Sequence, residues 1–290
     1  MEKLLTSREL AEAIGASESS LRRWTNSGAI RTSRTVGGHR RIPLSEAVRF
    51  VRETGATVVR PDVLGQPAVS GGGADDEALY RALLDGDAAA ARGRLLGMYL
   101  EGAELGAIFD GPVADAMHRV GELWQHDPRG VLVEHRATDI CLRAVAELRQ
   151  LLPAPADDAP AAVGGAPAGD PYLLPSMMAA AVLADAGYRV TSLGADTPAD
   201  VLAAAAEELD ARVAWLSVSH AEPEVLQRDV ERLASRLERR GTTVLLGGRR
   251  ASGLDVARLP NVRVLSAMSD LAAFAQSATA PRRGQAARGK

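Results

Sequence analysis

A short turn in the C-terminal half of the chain combines residue types that could bind a ligand. It reads GDPYLLP, residues 169–175, and lies between an apolar run and an alanine-rich stretch of helical character. Its candidate side chains are the carboxylate of Asp170 and the phenol of Tyr172. A phenol has a pKa of about 10 and must lose its proton to bind a metal, so it suits ferric iron better than cobalt. We therefore expect Tyr172 to form the wall of a cleft and to donate a hydrogen bond, rather than to ligate a metal.

Three further turns with small or polar residues follow apolar runs in the same half. They are Gly194–Thr197, Ser217–His220 and Gly247–Arg250. The second of them contains serines and a histidine but lacks the glycines of a nucleophile elbow, so the chain is not expected to be an enzyme. The candidate ligand-binding residues of this half are Asp170, Tyr172, Ser217, Ser219, Gly247 and Gly248.

The segments that hold these turns alternate between strand-like and helix-like patterns from residue 161 to residue 278. That order predicts an α/β doubly wound parallel sheet, of the flavodoxin or Rossmann type, with helices on both faces. Ligands of such sheets bind outside the carboxyl ends of the strands. The four turns are therefore expected to meet at one edge.

A helical segment is predicted over residues 74–152. Its apolar residues recur three and four positions apart, and four helices of these lengths predict a small four-helix bundle. The pattern is broken at Gly86, at Gly111-Pro112 and at Pro128-Arg129-Gly130. Within this segment Trp124 is separated by nine residues from the pair Glu134-His135, across a helix-loop-helix corner.

The N-terminal segment, residues 1–62, differs from the rest in charge. Residues 1–60 contain eleven lysines and arginines against six acidic residues, whereas the whole chain has a net charge of −3. A basic head on an acidic body indicates a nucleic-acid partner. Thr6 and Ser17 can cap two short helices, over 7–14 and 18–27, and the tight turn between them is typical of a helix-turn-helix.

A β-hairpin around Gly37-Gly38 is predicted next, as a wing, and then a helix capped by Ser45. Arginines on a wing reach phosphates or a groove, whereas residues early in the second helix read base edges. The candidate DNA-binding residues are Ser17, Ser19, Arg22, Arg23, Arg34, His39, Arg40 and Arg41. One such head covers one half-site, so a dimer on a pseudo-palindromic duplex is expected.

Linkers rich in glycine, proline and alanine separate the three segments, at Val63–Gly73 and Pro153–Pro160. The basic tail, residues 279–290, is expected to be disordered. The single cysteine, Cys141, excludes an internal disulfide and a cysteine-based zinc cluster. Neither a long apolar run nor a secretory leader is readable, so a cytoplasmic protein is expected.

The head resembles the winged helix-turn-helix of the MerR family. The similarity lies in LLTSRELAEAIGASESSLRRWTNSGAIRTSRTVGGHRRI, which includes the Gly-x-Ile after the second helix and the Gly-x-Arg-Arg of the wing. The resemblance implies sequence-specific binding to double-stranded DNA and a role in transcription.

The rest of the chain resembles the cobalamin-binding module that corrinoid methyltransferases share with a group of regulators. The chain keeps Gly169-Asp170, the stretch Gly187–Pro198, Ser217-Val218-Ser219 and Gly247-Gly248 of that module. The family's first turn is Asp-x-His-x-x-Gly, in which the histidine is the lower cobalt ligand and the glycine lets the nucleotide tail pass close to the backbone. In this chain Tyr172 replaces the histidine and Pro175 replaces the glycine.

Together with the MerR-like head, the module resembles the light-responsive cobalamin regulators of the CarH/LitR group. Trp124, Glu134 and His135 match in type and spacing the residues that this group packs on the upper, adenosyl face of the cofactor. The resemblance implies a ligand that lies between the helical segment and the sheet edge and also touches Ser217 and Gly248. The group's photoreactive histidine directly follows the tryptophan, but here Gln125 does, so that role is not carried over.

Three occupants of the cleft stay open. They are adenosylcobalamin held with its own base or water below the cobalt, another flat tetrapyrrole or nucleotide-like ligand, and none at all. The expected function is a DNA-binding transcriptional regulator whose sensory module controls its oligomeric state, as dimer or tetramer, and its operator binding. The alternatives are a regulator with a degenerate pocket that binds only a protein partner, and a corrinoid methyl-transfer protein, which would need the missing cobalt ligand.

Overall fold

The chain folds as two units, Met1–Ala154 and Pro155–Lys290. The computed structural model describes residues 3–35, 37–64, 75–123, 129–220 and 222–279. The boundary between the units falls within the predicted linker Pro153–Pro160. No helix of the described residues is long and apolar enough to cross a membrane.

The first unit begins with three helices and a small antiparallel sheet in the strand order β1-β3-β2. The hydroxyl of Thr6 and the carboxylate of Glu9 form a capping box at the first helix, and Ser17 caps the second through the N–H of Ser20 (3.1 Å). The elements are β1 (Leu4–Leu5), α1 (Ser7–Ala13), α2 (Glu18–Asn26), β2 (Ser33–Arg34), β3 (Arg40–Pro43) and α3 (Leu44–Thr54). The predicted helix-turn-helix pair is therefore present within one residue of its expected bounds.

The start of α3 differs from the prediction that Ser45 caps it. The helix begins at Leu44, directly after β3, and its N-cap is Pro43, which makes no side-chain cap. The N–H of Leu44 instead donates to the carbonyl of Lys3 (3.0 Å), which continues the pairing of β1 with β3. A long-range backbone bond thus satisfies an N–H that a local cap would otherwise serve.

The helices that follow pack on one another around buried leucines, alanines and valines. Helix α4 contacts α5, α7 and α8, and α8 also contacts α5 and α7. Their bounds are α4 (Asp75–Asp85), α5 (Ala88–Leu100), α6 (Leu105–Ile108), α7 (Ala114–Glu122) and α8 (Gly130–Gln150). A short 3₁₀ turn, Pro61–Leu64, precedes them where the sequence predicted the start of a linker.

The predicted break at Gly111-Pro112 is wrong. A single π-helical segment, Phe109–Val113, joins α6 to α7 there. Proline has no N–H to offer a helical carbonyl, and a wider turn accommodates the missing bond without ending the helix. The chain instead turns after α5, where Gly102 has a φ of +102°. Gly86, a predicted break, does separate α4 from α5.

The second unit is a five-stranded parallel sheet with helices on its faces, which fits the Rossmann-like fold predicted from the sequence. The strand order is β5-β4-β6-β7-β8, so the chain first extends to one side of β4 and then continues on the other. The strands are β4 (Ala161–Pro167), β5 (Arg189–Thr197), β6 (Val213–Ser217), β7 (Thr243–Gly247) and β8 (Val262–Val264). The helices are α9 (Leu174–Asp185), α10 (Ala199–Glu208), α11 (Pro223–Glu238) and α12 (Met268–Thr279).

Alternate residues of the strands face opposite layers of this unit. Val163, Ala214 and Leu246 share one core with buried residues of α10 and α11. The residues between them, which include Gly164 and Trp215, face the side of α9. The reversal of strand order between β4 and β6 places the crevice of the fold at the carboxyl ends of these two strands.

Candidate ligand-binding edge and nucleic-acid interface

A buried carboxylate connects two of the turns at the carboxyl edge of the sheet. Asp170 is fully buried, and its Oδ1 accepts the backbone N–H of Tyr172 (3.0 Å). Its Oδ2 accepts the backbone N–H groups of Ser219 (2.5 Å) and His220 (2.8 Å). Three N–H donors satisfy a carboxylate that burial would otherwise penalise. The turn after β4 and the turn after β6 are thereby held together.

Strand β5 continues to Thr197, so the turn predicted at Gly194–Thr197 is the last part of this strand. Asp196, within it, joins the same assembly. The N–H of Asp196 donates to the carbonyl of Asp170 (3.2 Å), and its carboxylate accepts the N–H of Gly169 (2.8 Å). Asp196 has a φ of +51°, a left-handed conformation that aspartate tolerates better than most residues. The edge is thus fixed by bonds from backbone N–H groups to the carboxylates of Asp170 and Asp196.

The turn after β7 closes on the turn after β6 because of its glycines. The N–H of Val218 donates to the carbonyl of Gly247 (2.7 Å). Gly248 has a φ of +97°, and a Cβ there would lie 2.3 Å from the carbonyl oxygen of Val218. Only glycine fits at this position, so the Gly-Gly pair serves the close approach of two turns. Ser217, at the end of β6, is buried beside them.

Two aromatic rings stand side by side on this edge. The rings of Tyr172 and His220 have centroids 6.4 Å apart and an interplanar angle of 67°, which is an edge-to-face contact. Tyr172 is 47% exposed, and His220 is exposed as well. The turn Ser217–His220 was expected at this edge, but His220 itself was not among the predicted ligand-binding residues. Its position directly behind the third strand was the signal that it would share an edge with Tyr172.

The space beneath the Pro175 turn is filled by an indole. Trp215 is buried, its ring lies across Gly164, where a Cβ would come within 2.2 Å of it, and its Nε1 donates to the buried Oγ of Ser176 (3.1 Å). Pro175 precedes Ser176 in the first turn of α9. These residues therefore do not fit a nucleotide tail inserted between β6 and α9, whereas the exposed rings above them fit one face of a flat macrocycle.

The predicted upper-face residues lie in the first unit, where two of them are described. Glu134 and His135 lie in the first turns of α8, half-buried and exposed respectively, and Trp124 lies outside the described residues. Val131 and Leu132 of the same turns are exposed, Leu132 by 65%. Val131 shares a helix face with Glu134 and His135 by the three- and four-residue spacing. This end of α8 is an exposed surface with apolar and ionisable side chains.

The basic side chains of the head lie on α2 and on the β2–β3 hairpin. Arg22, Arg23, Arg34, His39 and Arg40 are exposed, and Arg41 is half-buried. Nη1 of Arg40 donates to Oδ1 of Asn26 (2.9 Å), which ties the hairpin to the end of α2. The hydroxyl of Ser17 is shared with Ser19 (2.8 Å) and Ser20 (3.0 Å) at the helix cap.

Glu46, a buried acid of this head, holds Arg31 and Arg49 in place. Glu46 accepts the backbone N–H of Arg31 (2.7 Å) and Nε of Arg49 (2.9 Å). Burial alone would raise the pKa of Glu46, but the hydrogen bonds from Arg49 and from the backbone of Arg31 outweigh it, so the pKa lies below its usual value.

The described residues contain no group of three or more histidine, cysteine, aspartate or glutamate side chains that could hold a metal ion.

Two known family models match the chain, and both matched ranges lie in the first unit. A family model described as a helix-turn-helix domain matches residues 4–54, and one described as a B12 binding domain matches residues 76–149. No match was found among curated proteins. The chain therefore carries a helix-turn-helix domain followed by a B12 binding domain.

Solved structures that resemble the chain include three corrinoid-related proteins. The monomethylamine corrinoid protein of Methanosarcina barkeri is 16% identical, with a TM-score of 0.53 over 71% of this chain and 100% of that one. A cobalamin-binding protein of Desulfitobacterium hafniense is 16% identical, with a TM-score of 0.37 over 71% and 98%. The methanol:cobalamin methyltransferase complex MtaBC of M. barkeri is 17% identical, with a TM-score of 0.38 over 77% and 89%. The first establishes a shared fold.

Proposed function

We propose that this protein is a transcriptional regulator of the MerR type whose corrinoid-binding module sets its oligomeric state and its affinity for operator DNA. The observation that carries the proposal is the presence of a helix-turn-helix domain and a B12 binding domain in one chain. A protein that only carried a corrinoid to a methyltransferase would have no use for a basic head.

The head supports DNA binding through two adjacent cationic elements. Arg22 and Arg23 lie in the middle and last turn of α2, the second helix of the motif, which enters the major groove in proteins of this type. Arg40 is exposed on the hairpin beside that helix, where it can contact phosphates. A single head of 51 matched residues reads one half-site, so two copies of the chain are required for a pseudo-palindromic operator.

The edge of the second unit supports the binding of a flat, partly apolar ring. Tyr172 and His220 offer exposed aromatic surface, and the hydrogen bonds of Asp170 fix the turns that present them. A bound corrinoid would supply a cobalt centre whose axial groups can be exchanged. The residues of this chain would orient the ring, restrict the approach of water to one face and respond to a change in that centre.

The exposed end of α8 supports the same function from the first unit. Val131 and Leu132 offer apolar surface that is costly to leave in water, beside the polar pair Glu134 and His135. In the regulators that this chain resembles, such a pair packs on the adenosyl group. A light-sensitive response is part of the proposal on that resemblance.

The experiment that tests the proposal measures DNA binding and mass with and without the cofactor. The full chain is loaded with adenosylcobalamin in the dark, separated by gel filtration, and assayed on a duplex obtained by selection from random sequence. We expect a retained cobalamin spectrum and a change of about fivefold or more in operator affinity or a change in oligomer mass. Illumination of the loaded protein should reverse the change.

A second candidate function is a regulator whose module binds no cobalamin. The observation in its favour is Trp215, which fills the space beneath Pro175. A colourless protein with unchanged mass and unchanged operator affinity after the same treatment would support this candidate and contradict the first.

A further inference from the structure

We propose that His220 is an axial ligand for the cobalt of a bound corrinoid, in place of the imidazole that position 172 lacks. The inference rests on the proposed function, since it requires a corrinoid at the carboxyl edge of the sheet. It assigns a metal-binding role to a residue that the motif of the cobalamin-binding module does not include.

His220 lies close to Tyr172 at the sheet edge. Its ring centroid lies 6.4 Å from that of Tyr172, the residue at the position of the family's lower ligand. His220 is exposed, so a ligand at the same edge can reach its ring. An imidazole on the turn after β6 can therefore reach the same part of the sheet edge as an imidazole at position 172, on the turn after β4.

The backbones of Tyr172 and His220 are anchored to the same buried group. One buried carboxylate, Asp170, accepts the backbone N–H of Tyr172 on one oxygen and that of His220 on the other. A metal ligand must be held in position before the metal arrives, because ordering it afterwards costs affinity. The edge-to-face contact with Tyr172 restricts the imidazole further.

The chemistry of imidazole and phenol favours His220 over Tyr172 as a cobalt ligand. Neutral imidazole donates a nitrogen lone pair near pH 7, and cobalt is among the metals that accept it. In the proposed step the cobalt–nitrogen bond forms as a coordinated water leaves, with no change in oxidation state and no proton transferred. A phenol is a poorer ligand for cobalt, because it binds a metal only after it has lost its proton.

The space between β6 and α9 is also relevant to the proposal, because the indole of Trp215 fills it. Trp215, bonded to Ser176, occupies the space between β6 and α9, so the sheet does not bury a nucleotide tail there. A corrinoid that has no nucleotide base leaves the lower cobalt position open to a nitrogen from the protein. Among the described residues, His220 is the histidine at this edge.

The test uses cobinamide, a corrinoid without the nucleotide base, bound to the full-length protein and reduced to the cobalt(II) state. Because the probe has no base, a nitrogen coupling in its electron paramagnetic resonance spectrum must come from the protein. We expect each cobalt line to split into three, and into two when the protein contains ¹⁵N-histidine. His220→Gln should abolish the splitting, whereas His118→Gln should retain it, since His118 lies exposed on α7 and pairs with Glu122.

The outcomes separate this inference from the function on which it rests. Cobinamide that stays bound but shows no nitrogen splitting, or splitting that persists in a folded His220→Gln protein, would overturn the role of His220 and leave the regulator intact. Failure of both cobinamide and cobalamin to remain on the protein through gel filtration would overturn the corrinoid function and the ligand together. The ¹⁵N measurement on the unaltered sequence shows whether the ligand is a histidine, and His220→Gln or His220→Ala, whichever folds, shows whether it is His220.

Discussion

Tyr172 contributes to the sheet edge mainly through its backbone and its ring. Its N–H is bonded to Asp170, and nearly half of its surface is exposed. We predict that Tyr172→Phe changes the free energy of unfolding by no more than about 0.5 kcal/mol and leaves the spectrum of bound cobalamin unaltered. Chemical denaturation and absorbance spectroscopy measure the two effects.

A different substitution at the same position provides the contrast. Tyr172→His offers a second imidazole at the edge and should shift the spectrum of bound cobalamin or strengthen its binding. Pro175→Gly, combined with it, tests whether the rigid proline hinders the tail. Loss of the cobalt spectrum in Tyr172→Phe alone would mean that the phenol is a ligand.

The buried Glu46 makes the stability of the head depend on pH. Its pKa in the folded protein is lowered from a usual value of 4.5, with burial opposing the shift and the bonds to Arg49 and Arg31 producing it. A lowered pKa adds stability that is present above pH 4.5 and is lost as the pH falls through the folded-state pKa. We predict that Glu46→Gln lowers stability at pH 7 and flattens its decline below pH 4.5.

The measurement for Glu46 is thermal unfolding between pH 3 and pH 7, compared between the two proteins. Glu53→Gln is the matched control, because Glu53 also pairs with Arg49 but its side chain is 60% exposed. It should follow the unaltered protein closely. Equal pH profiles for Glu46→Gln and the unaltered protein would show that the buried acid has no such role.

Among the elements, β6 and α9 are expected to determine which corrinoids the proposed site can accept. The indole of Trp215 occupies the space between them, so a nucleotide tail would gain no buried contacts there. We predict that cobinamide and cobalamin bind with affinities within about threefold of each other, a difference of under about 1 kcal/mol. Titration followed by absorbance measures both.

Trp215→Ala tests whether the indole sets this ratio. Removing it opens a cavity and should cost about 3–5 kcal/mol of stability, so folding is checked by circular dichroism. In the folded variant, cobalamin should gain affinity relative to cobinamide. Cobalamin that already binds the unaltered protein a hundredfold more tightly would show that its tail is buried elsewhere or that the indole moves.

The elements of the second unit could be predicted from the sequence, because the alternation of apolar runs and helical periods is local. The runs that became β4, β6 and β7 are each followed by the turn expected at the ligand-binding edge. Helix α3 could not be placed correctly, since its start depends on a bond from Leu44 to Lys3, forty-one positions earlier. Local sequence patterns do not predict such long-range backbone bonds.

The candidate site was predictable only in part, for the same reason. Asp170 and Tyr172 were singled out from their turn, but the contact of Tyr172 with His220 depends on β4 and β6 being neighbours, with β5 on the far side of β4. Trp215 was part of an apolar run, and only the register of β6 against Gly164 shows what its ring fills.

At the scale of the molecule, the DNA-binding head and the helices after it belong to one unit. Arg52 of α3 connects them: its guanidinium donates to the carbonyls of Tyr99 and Ala103 at the end of α5 and lies 3.9 Å from the ring of Tyr99. A cation at a helix C-terminus is favourable, and Arg52 also pairs with Glu104 (3.5 Å) just beyond that end. These contacts hold α3 against the end of α5.

Binding of the whole protein to operator DNA is expected to depend on the arginines of β3. Arg40 and Arg41 lie on β3, and each phosphate contact that is lost should lower the slope of log affinity against log salt by roughly one. We predict that Arg40→Ala with Arg41→Ala weakens binding to all duplexes alike and flattens the salt dependence by up to about two units.

Two controls separate charge from structure in that measurement. Arg40→Lys with Arg41→Lys keeps both positive charges and should retain most of the slope, although Arg40 loses its bond to Asn26. Arg81→Ala removes an exposed arginine of α4, which pairs with Glu77 outside the head, and should leave binding unchanged. If the double alanine variant binds with unaltered affinity and slope, the hairpin does not touch DNA, and recognition has to be assigned to α2 alone.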